Sequence, residues 1–371
     1  VILAVTAALI GSDIVDHAWL EIEDERIAAI GQGTPPSAPN ELVSGTIVPG
    51  FVDIHSHGGG GFNFSSPDPD ELSLILSTHL QKGTTSQMAS LVTEPLAELH
   101  RQITSLAPYV QSGAICGIHL EGPYLSQTYC GAHDPSLLRI PDLHEISDLI
   151  DHGDGTIRMI TIAPELPNAI DAISMIVKRG VVAAIGHSDA DYEVTKRAID
   201  AGATVVTHFY NGLRGIDHHD PALTLATLLD DRMTLELILD GLHVKAPAVD
   251  LVLRCAPARV ALITDAMAAA GVGNGNYTIG SLAVVVKDGA ARLASNGSLA
   301  GSTLTMDRAF QRLVRDHDYS IPDASYAAST LPARALQLTN VGGIEVGKRA
   351  DLIELQGAQV TRVMSRGVWV P

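Results

Sequence analysis

Eight short, apolar, β-rich runs recur between positions 51 and 264, and they constrain the fold more than any other feature of the chain. They are Phe51 to Ile54, Thr84 to Ala89, Ile115 to Leu120, Arg158 to Ile162, Val181 to Ile185, Thr204 to Thr207, Leu235 to Leu239 and Val260 to Thr264. Helix-periodic segments lie between them, among them Pro69 to Gln81, Asn168 to Arg179 and Asp191 to Ala201. The last two run into Gly180 and Gly202, which are good helix stops. Near-continuous apolar strands alternating with helices predict a parallel sheet covered on both faces. Eight such units in about 220 residues predict an α/β fold of the (β/α)8 TIM-barrel type. An open doubly wound sheet competes, but no G-x-G-x-x-G follows any of the strands.

In a barrel of this kind chemistry collects at the C-terminal ends of the strands. Strand one runs into H-S-H-G-G-G-G, where His55 and His57 are two apart and so project from one face. The glycines from Gly58 let the backbone turn sharply over the pair. Two imidazoles alone do not hold a metal, so the remaining strand ends decide the question. Strand three ends in Glu121, within H-L-E-G-P-Y, and strand four in Pro164-Glu165. Strand five ends in His187, strand six in His208, strand seven leads to Asp240 and His243, and strand eight ends in Asp265. One ionisable residue at a strand end is ordinary helix capping, which is the expectation for Asp189. Glu165 is expected to do no more than satisfy backbone donors. Four histidines and two carboxylates at matching ends exceed what capping explains.

Composition narrows the partners. A formal charge of -18 argues against nucleic acid, which demands a basic face. It also makes any anion binding a local matter. No apolar run reaches the roughly 18 residues of a membrane span. The start, V-I-L-A-V-T-A-A-L-I, lacks the basic stretch of a signal peptide. Cys116, Cys130 and Cys255 are too few and too scattered for a disulfide framework, so a reducing cytoplasm is the default compartment. Residues 1–47 read as short strands and turns, and 343–371 return to that character, so the two ends are expected to form one discontinuous β domain. The barrel is expected to occupy 48–342, with a β-hairpin insertion near 271–297.

Taken together these motifs resemble the amidohydrolase superfamily and, within it, the N-acetylglucosamine-6-phosphate deacetylase family. The resemblance runs from P-G-F-V-D-I-H-S-H-G through H-L-E-G-P-Y, G-H-S-D-A, T-H-F-Y-N-G, D-G-L-H-V, T-D-A-M and G-S-T-L-T-M to G-K-R-A-D-L. It implies that Glu121, His187 and His208 are core metal ligands and that His55 and His57 are the extra pair found in some members. Two divalent ions bridged by Glu121 are then expected, zinc first, with Fe, Co, Mn or Cd as alternatives. Asp265 matches the catalytic carboxylate, also counted near the metals, while His243, Asn211 and Gly212 match substrate-binding positions. His243 could serve a developing oxyanion or a sugar hydroxyl. His133 and Arg139 fit a lid or subunit contact as well as a substrate contact. The implied reaction is metal-dependent hydrolysis of the N-acetyl group of an amino-sugar phosphate, in a cytoplasmic homodimer. Deacetylation of another N-acetylated sugar, or a catalytically silent binding protein, are the competing readings.

The chain departs from the family at one point. Members usually carry an arginine shortly after the H-x-Y-N segment, in a His-Arg-Glu-Pro-like run that meets the sugar phosphate. Here the run is His218-His219-Asp220-Pro221. Arginine is a permanently charged two-pronged donor, whereas a histidine is charged only near or below about pH 6.5. The expectation is that His219 still binds phosphate, helped by Arg214, Arg139 or a partner subunit; the alternative is a substrate without phosphate.

Overall fold

The computed structural model describes residues 1–371. Its centre is an eight-stranded parallel sheet in sequential order: Phe51–Asp53, Thr84–Leu91, Gly117–Glu121, Ile157–Ile162, Val182–Ile185, Val205–Val206, Thr234–Ile238 and Val260–Ile263. All eight expected strands are present, displaced at their ends by a few residues at most. The three expected helices lie at Pro69–Leu80, Ala169–Lys178 and Tyr192–Asp200. Helices lie between successive strands and bury their apolar stripes against the sheet, so the interior is one large apolar cluster. The sheet curls into a barrel. Thr264 closes the seam by donating through its hydroxyl to Asp53 Oδ2 at 2.5 Å, and its N–H reaches Asp53 Oδ1 at 3.3 Å. Asp265 N–H then donates to the carbonyl of His55 at 2.9 Å. Strands one and eight are thereby joined where their catalytic-end residues emerge.

A second eight-stranded sheet is built from both chain ends. Its order is Val368–Trp369, Gln359–Ser365, Leu352–Gln356, Glu41–Pro49, Ile2–Ile10, Ala18–Glu23 and Arg26–Gln32, with Asp13–Asp16 paired on Ile2–Ile10. The apolar start of the chain is therefore a buried strand. Glu41–Pro49 joins the two ends, pairing parallel with Ile2–Ile10 and antiparallel with Leu352–Gln356. It runs on through Gly50 into the first barrel strand, which fixes the position of His55. A separate apolar cluster fills this sheet's interior.

The insertion after strand eight differs from the expected hairpin. It is a three-stranded antiparallel sheet, Gly275–Ile279, Leu282–Lys287 and Ala290–Leu293. The first strand is mostly polar, G-N-Y-T-I, and so carried no alternation to reveal it. The helical stretch after the insertion is broken, with a wide turn at Tyr326–Thr330 between Ile321–Ser325 and Leu331–Ala335. Pro332 follows it, and proline has no N–H to continue a regular ladder. No helix is long and apolar enough to cross a membrane.

Candidate metal centre and substrate pocket

Six side chains from five barrel strands meet at the C-terminal mouth: His55, His57, Glu121, His187, His208 and Asp265, all buried. Three of them sit in the left-handed backbone region, His187 at φ +48°, His208 at +29° and Asp265 at +48°. Each such residue costs about 1–3 kcal/mol, and the strain lies at the strand ends that aim side chains inward. The strained backbones are held by neighbours. His208 N–H donates to Glu236 Oε2 at 3.1 Å, and Ser302 N–H donates to the Asp265 carbonyl at 2.7 Å.

The hydrogen bonds fix the imidazole tautomers. His187 Nδ1 faces the Tyr129 carbonyl at 2.8 Å and His208 Nδ1 faces the Asn211 carbonyl at 3.1 Å. His57 Nδ1 faces the Ser90 carbonyl at 3.1 Å, and His55 Nδ1 faces Glu236 Oε2 at 2.9 Å. A carbonyl or carboxylate oxygen only accepts, so all four Nδ1 atoms carry the proton. In the neutral rings all four Nε2 atoms then present lone pairs. Those of His187 and His208 converge on Glu121 Oε1 at 3.1 and 3.0 Å. His57 Nε2 lies 3.1 Å from Glu121 Oε2 and 3.2 Å from Asp265 Oδ1, with His55 Nε2 at 3.5 and 3.7 Å from the same oxygens. Lone pairs facing lone pairs across buried contacts are unfavourable unless a cation sits among them. The N/O donor set suits a divalent transition metal.

Electrostatics agrees. Burial on its own lowers a histidine, but at His55 it is outweighed by the charges of Glu121 and Glu236, which raise it well above the ordinary range. Burial likewise opposes protonation of His57, but hydrogen bonds to Asp265 and Glu121 push it up to about 9. A field that draws protons so strongly also draws a dication. Burial raises Glu121, but the His55 charge, the His133 hydrogen bond and the adjoining His187 and His208 rings hold it well below the usual carboxylate range. Asp265 is also held low, its burial opposed by the His57 hydrogen bond.

His133 belongs to a different category. Its Nδ1 accepts from Thr93 N–H at 3.2 Å, so the ring proton is on Nε2, which points toward Glu121 at 3.6 Å. Burial lowers it to about 4, so it stays neutral and offers an N–H donor to the site rather than a ligand lone pair. His243 is the converse. Its Nδ1 is bound to Asp240 Oδ2 at 2.7 Å, and Asp240 also accepts the Leu242 and His243 amides. With Nδ1–H given to Asp240, the ring in its neutral form turns an acceptor, Nε2, toward the pocket.

The pocket above these groups has a volume of about 220 Å³ and is lined by His57, Glu121, His133, His187, His208, Asn211, Gly212, His243 and Asp265 among others. Ile279 and Leu299, from the insertion and the segment after it, close one side. Gly212, at φ +61°, passes so close to His187 that a Cβ would lie 2.9 Å from its Nδ1. Three expected site residues do not reach the pocket wall. Arg139 is exposed and bound to Glu145, Arg214 is bound to Asp189 and Asp220, and His219 is exposed with its ring 3.8 Å from that of His218. Asp189 accordingly does not cap a helix. Asp191 does so instead, accepting from Val194 N–H, because the chain needs two more residues to turn into Tyr192–Asp200. Glu165 accepts from the Asp189 amide and the Ser188 hydroxyl, both at 2.7 Å.

Two buried residues beside the ligands escaped the sequence reading. Glu236 lies in the apolar run L-E-L-I-L, where a lone carboxylate in a barrel strand was the available signal. His119 stands two residues before Glu121 on the same inward face, held between Ser90 Oγ at 3.0 Å and Thr161 Oγ1 at 2.8 Å.

A closed parallel barrel with imidazole and carboxylate lone pairs gathered at its C-terminal mouth defines a metal-dependent hydrolase. The sequence profile described as the amidohydrolase family matches residues 46–370, and the chain belongs to that family. It is 37% identical over 312 residues to an N-acetylglucosamine-6-phosphate deacetylase of Vibrio furnissii, covering 83% of this chain and 78% of that one. It is 36% identical over 363 residues to an N-acetylgalactosamine-6-phosphate deacetylase of Escherichia coli O157:H7, covering 95% and 96%. A solved variant of the Mycobacterium smegmatis N-acetyl-D-glucosamine-6-phosphate deacetylase, in complex with N-acetyl-D-glucosamine-6-phosphate, superposes with a TM-score of 0.96 at 44% identity, covering 99% of this chain and 98% of that one.

Proposed function

We propose that this chain hydrolyses the acetamide of N-acetylglucosamine 6-phosphate, giving glucosamine 6-phosphate and acetate. The observation that carries the reading is the placement of an ionised Asp265 at the edge of the lone-pair cluster, facing the pocket. The names of the relatives supply the substrate class. We take the centre to hold two divalent ions, zinc first. Three buried carboxylates, Glu121, Asp265 and Glu236, touch only histidines and no lysine or arginine, which is more negative charge than one dication offsets. Bound there, the metal polarises the acetamide carbonyl and acidifies a water.

The chain's own groups do the rest. Asp265 takes the proton of the attacking water and returns it to the departing amine, which must be protonated to leave. His133 donates its Nε2–H to the oxygen that gains charge as the carbonyl becomes tetrahedral. His243 accepts from a sugar hydroxyl, and Asn211 and Gly212 line the same wall. That wall carries no arginine or lysine. The phosphate therefore draws on His219 with Arg214 or Arg139, or on a partner subunit in a homodimer.

A second substrate is favoured by the Escherichia coli relative, the N-acetylgalactosamine 6-phosphate epimer. Acetate release from N-acetylglucosamine 6-phosphate, its epimer and unphosphorylated N-acetylglucosamine tests both readings. A kcat/KM highest for the glucosamine phosphate supports the proposal. Equal kcat/KM for the sugar with and without phosphate overturns the phosphate reading, and no acetate from any of them overturns the deacetylase.

A further inference from the structure

Glu236 is fully buried in the seventh barrel strand, outside the set of ligands, and contacts both halves of the metal centre. Its Oε2 accepts from His55 Nδ1–H at 2.9 Å and from His208 N–H at 3.1 Å. The first bond sets the tautomer and ring plane of His55, so that Nε2 faces Glu121 and Asp265. The second holds the backbone of His208 at φ +29°, the conformation that turns its ring toward Glu121 Oε1. The other oxygen, Oε1, is buried without a partner. A carboxylate in an apolar strand with one oxygen orphaned is costly. It is a poor choice for a purely structural role, where an apolar residue of that size would pack at no such cost.

We propose that Glu236 is a positioning residue that sets the metal affinity of the His55–His57 half of the centre. It does so by holding His55 and by adding a buried negative charge behind the imidazole. A carboxylate behind a ligating histidine makes that ring a better donor, and losing such a partner typically weakens metal binding about 10–100-fold. The His187–His208 half depends less on it. His187 owes its ring orientation to the Tyr129 carbonyl, and His208 owes its tautomer to the Asn211 carbonyl. The inference rests on the metal-centre reading above, but its test does not use activity.

Wild type, Glu236→Gln and Glu236→Asp are stripped with chelator and titrated with zinc against a chromophoric competitor, and bound metal is counted after dialysis. The Gln variant is expected to bind the weaker ion about 10–100-fold less tightly and to keep the tighter one. The Asp variant, which retains the charge, is expected to fall between it and wild type. The double variant His55→Asn, Glu236→Gln is expected to lose little metal beyond His55→Asn alone, because Glu236 acts mainly through that ring. Unchanged affinity in the Gln variant, or fully additive losses in the double variant, overturns the proposal. If Glu236→Gln does not fold, the comparison of Glu236→Asp with wild type decides. Equal metal affinity then counts against Glu236, and a weakened first half with the second retained supports it. Should wild type bind only one ion, the two-ion reading fails, and the affinity of that ion across the same variants still decides the role of Glu236.

Discussion

The Nε2 atoms of His187 and His208 lie 2.9 Å apart, and each also faces Glu121 Oε1, at 3.1 and 3.0 Å. With both Nδ1 protons committed to backbone carbonyls, neither ring can offer the other a hydrogen in its neutral form. The arrangement is stable as the coordination shell of a cation. His187→Asn is therefore expected to lose most of the bound metal and nearly all activity. His55→Asn with His57→Asn is expected to drop one ion and leave some turnover. Elemental analysis of the purified variants checks both. Unchanged metal in the His187 variant would remove the basis of the assignment.

Asp265 is positioned by its own backbone, in the left-handed region and hydrogen-bonded to strand one, and its carboxylate is held ionised. Asp265→Asn keeps the shape and removes the proton acceptor. It is expected to fold, to bind substrate, and to lose about 10²–10⁴-fold or more in kcat. Turnover close to wild type in a single-turnover assay would mean that the proton leaves by another route.

His133 and His243 face the same pocket with opposite polarity, and that difference should separate their kinetics. In the proposed mechanism His133 donates where charge develops, so His133→Ala is expected to lower kcat about 10²-fold or more with a smaller change in KM. In the same proposal His243 accepts from the bound sugar before and during reaction, so His243→Ala is expected to act mainly on KM. Steady-state kinetics on both variants checks the split, and a reversed pattern would exchange the two roles.

Much of this was legible in the sequence because the barrel repeats its signal. Each strand is a nearly continuous apolar run, and seven of the eight lead to an ionisable residue that is out of place in such a run, such as His187 after V-A-A-I-G. His133 could not be given one role, because the tautomer that makes it a donor depends on Thr93, forty residues away in the chain. The sequence does not single out Glu236, because nothing local shows that its carboxylate meets a histidine 181 positions earlier. The insertion's polar first strand was missed because its partners, not its own pattern, make it a strand. Local periodicity reports which face is buried; it does not report what the buried face meets.

Away from the site, Asp230 offers a stability test with a definite pH sign. It accepts from Lys196 Nζ at 2.7 Å and from the Arg232 guanidinium at 2.9 and 2.8 Å, tying the helix at Tyr192–Asp200 to the turn before strand seven. The Arg232 hydrogen bonds lead in holding its carboxyl far below the usual carboxylate range. A depressed carboxylate stabilises the fold fully above its unfolded value of about 3.9, and the contribution is lost as pH falls toward the folded value. Asp230→Asn is expected to cost about 1–2 kcal/mol at pH 7. The gap from wild type should narrow below about pH 4. Urea unfolding across that range measures it, and a gap that widened on acidification would contradict the assignment.

The proposed phosphate contact is tested at His219. His219 stands on an exposed loop with His218 stacked beside it, and Arg214 nearby is already bound to Asp189 and Asp220. His219 stands where the sequence resemblance leads one to expect an arginine; its backbone N–H donates to Asp217 Oδ1 at 2.8 Å, while its imidazole makes no ion pair with a carboxylate. If this loop serves the phosphate, His219→Ala should raise KM for the 6-phosphate sugar with kcat less affected, and leave kcat/KM for the unphosphorylated sugar unchanged. His219→Arg restores a permanent two-pronged donor and should lower that KM, by up to about tenfold for one charge-assisted hydrogen bond of about 1.4 kcal/mol. The preference for the phosphorylated substrate, measured as a ratio of kcat/KM values, is the quantity to follow. A ratio identical in wild type, His219→Ala and His219→Arg would place phosphate recognition elsewhere, on Arg139, Arg214 or a partner subunit.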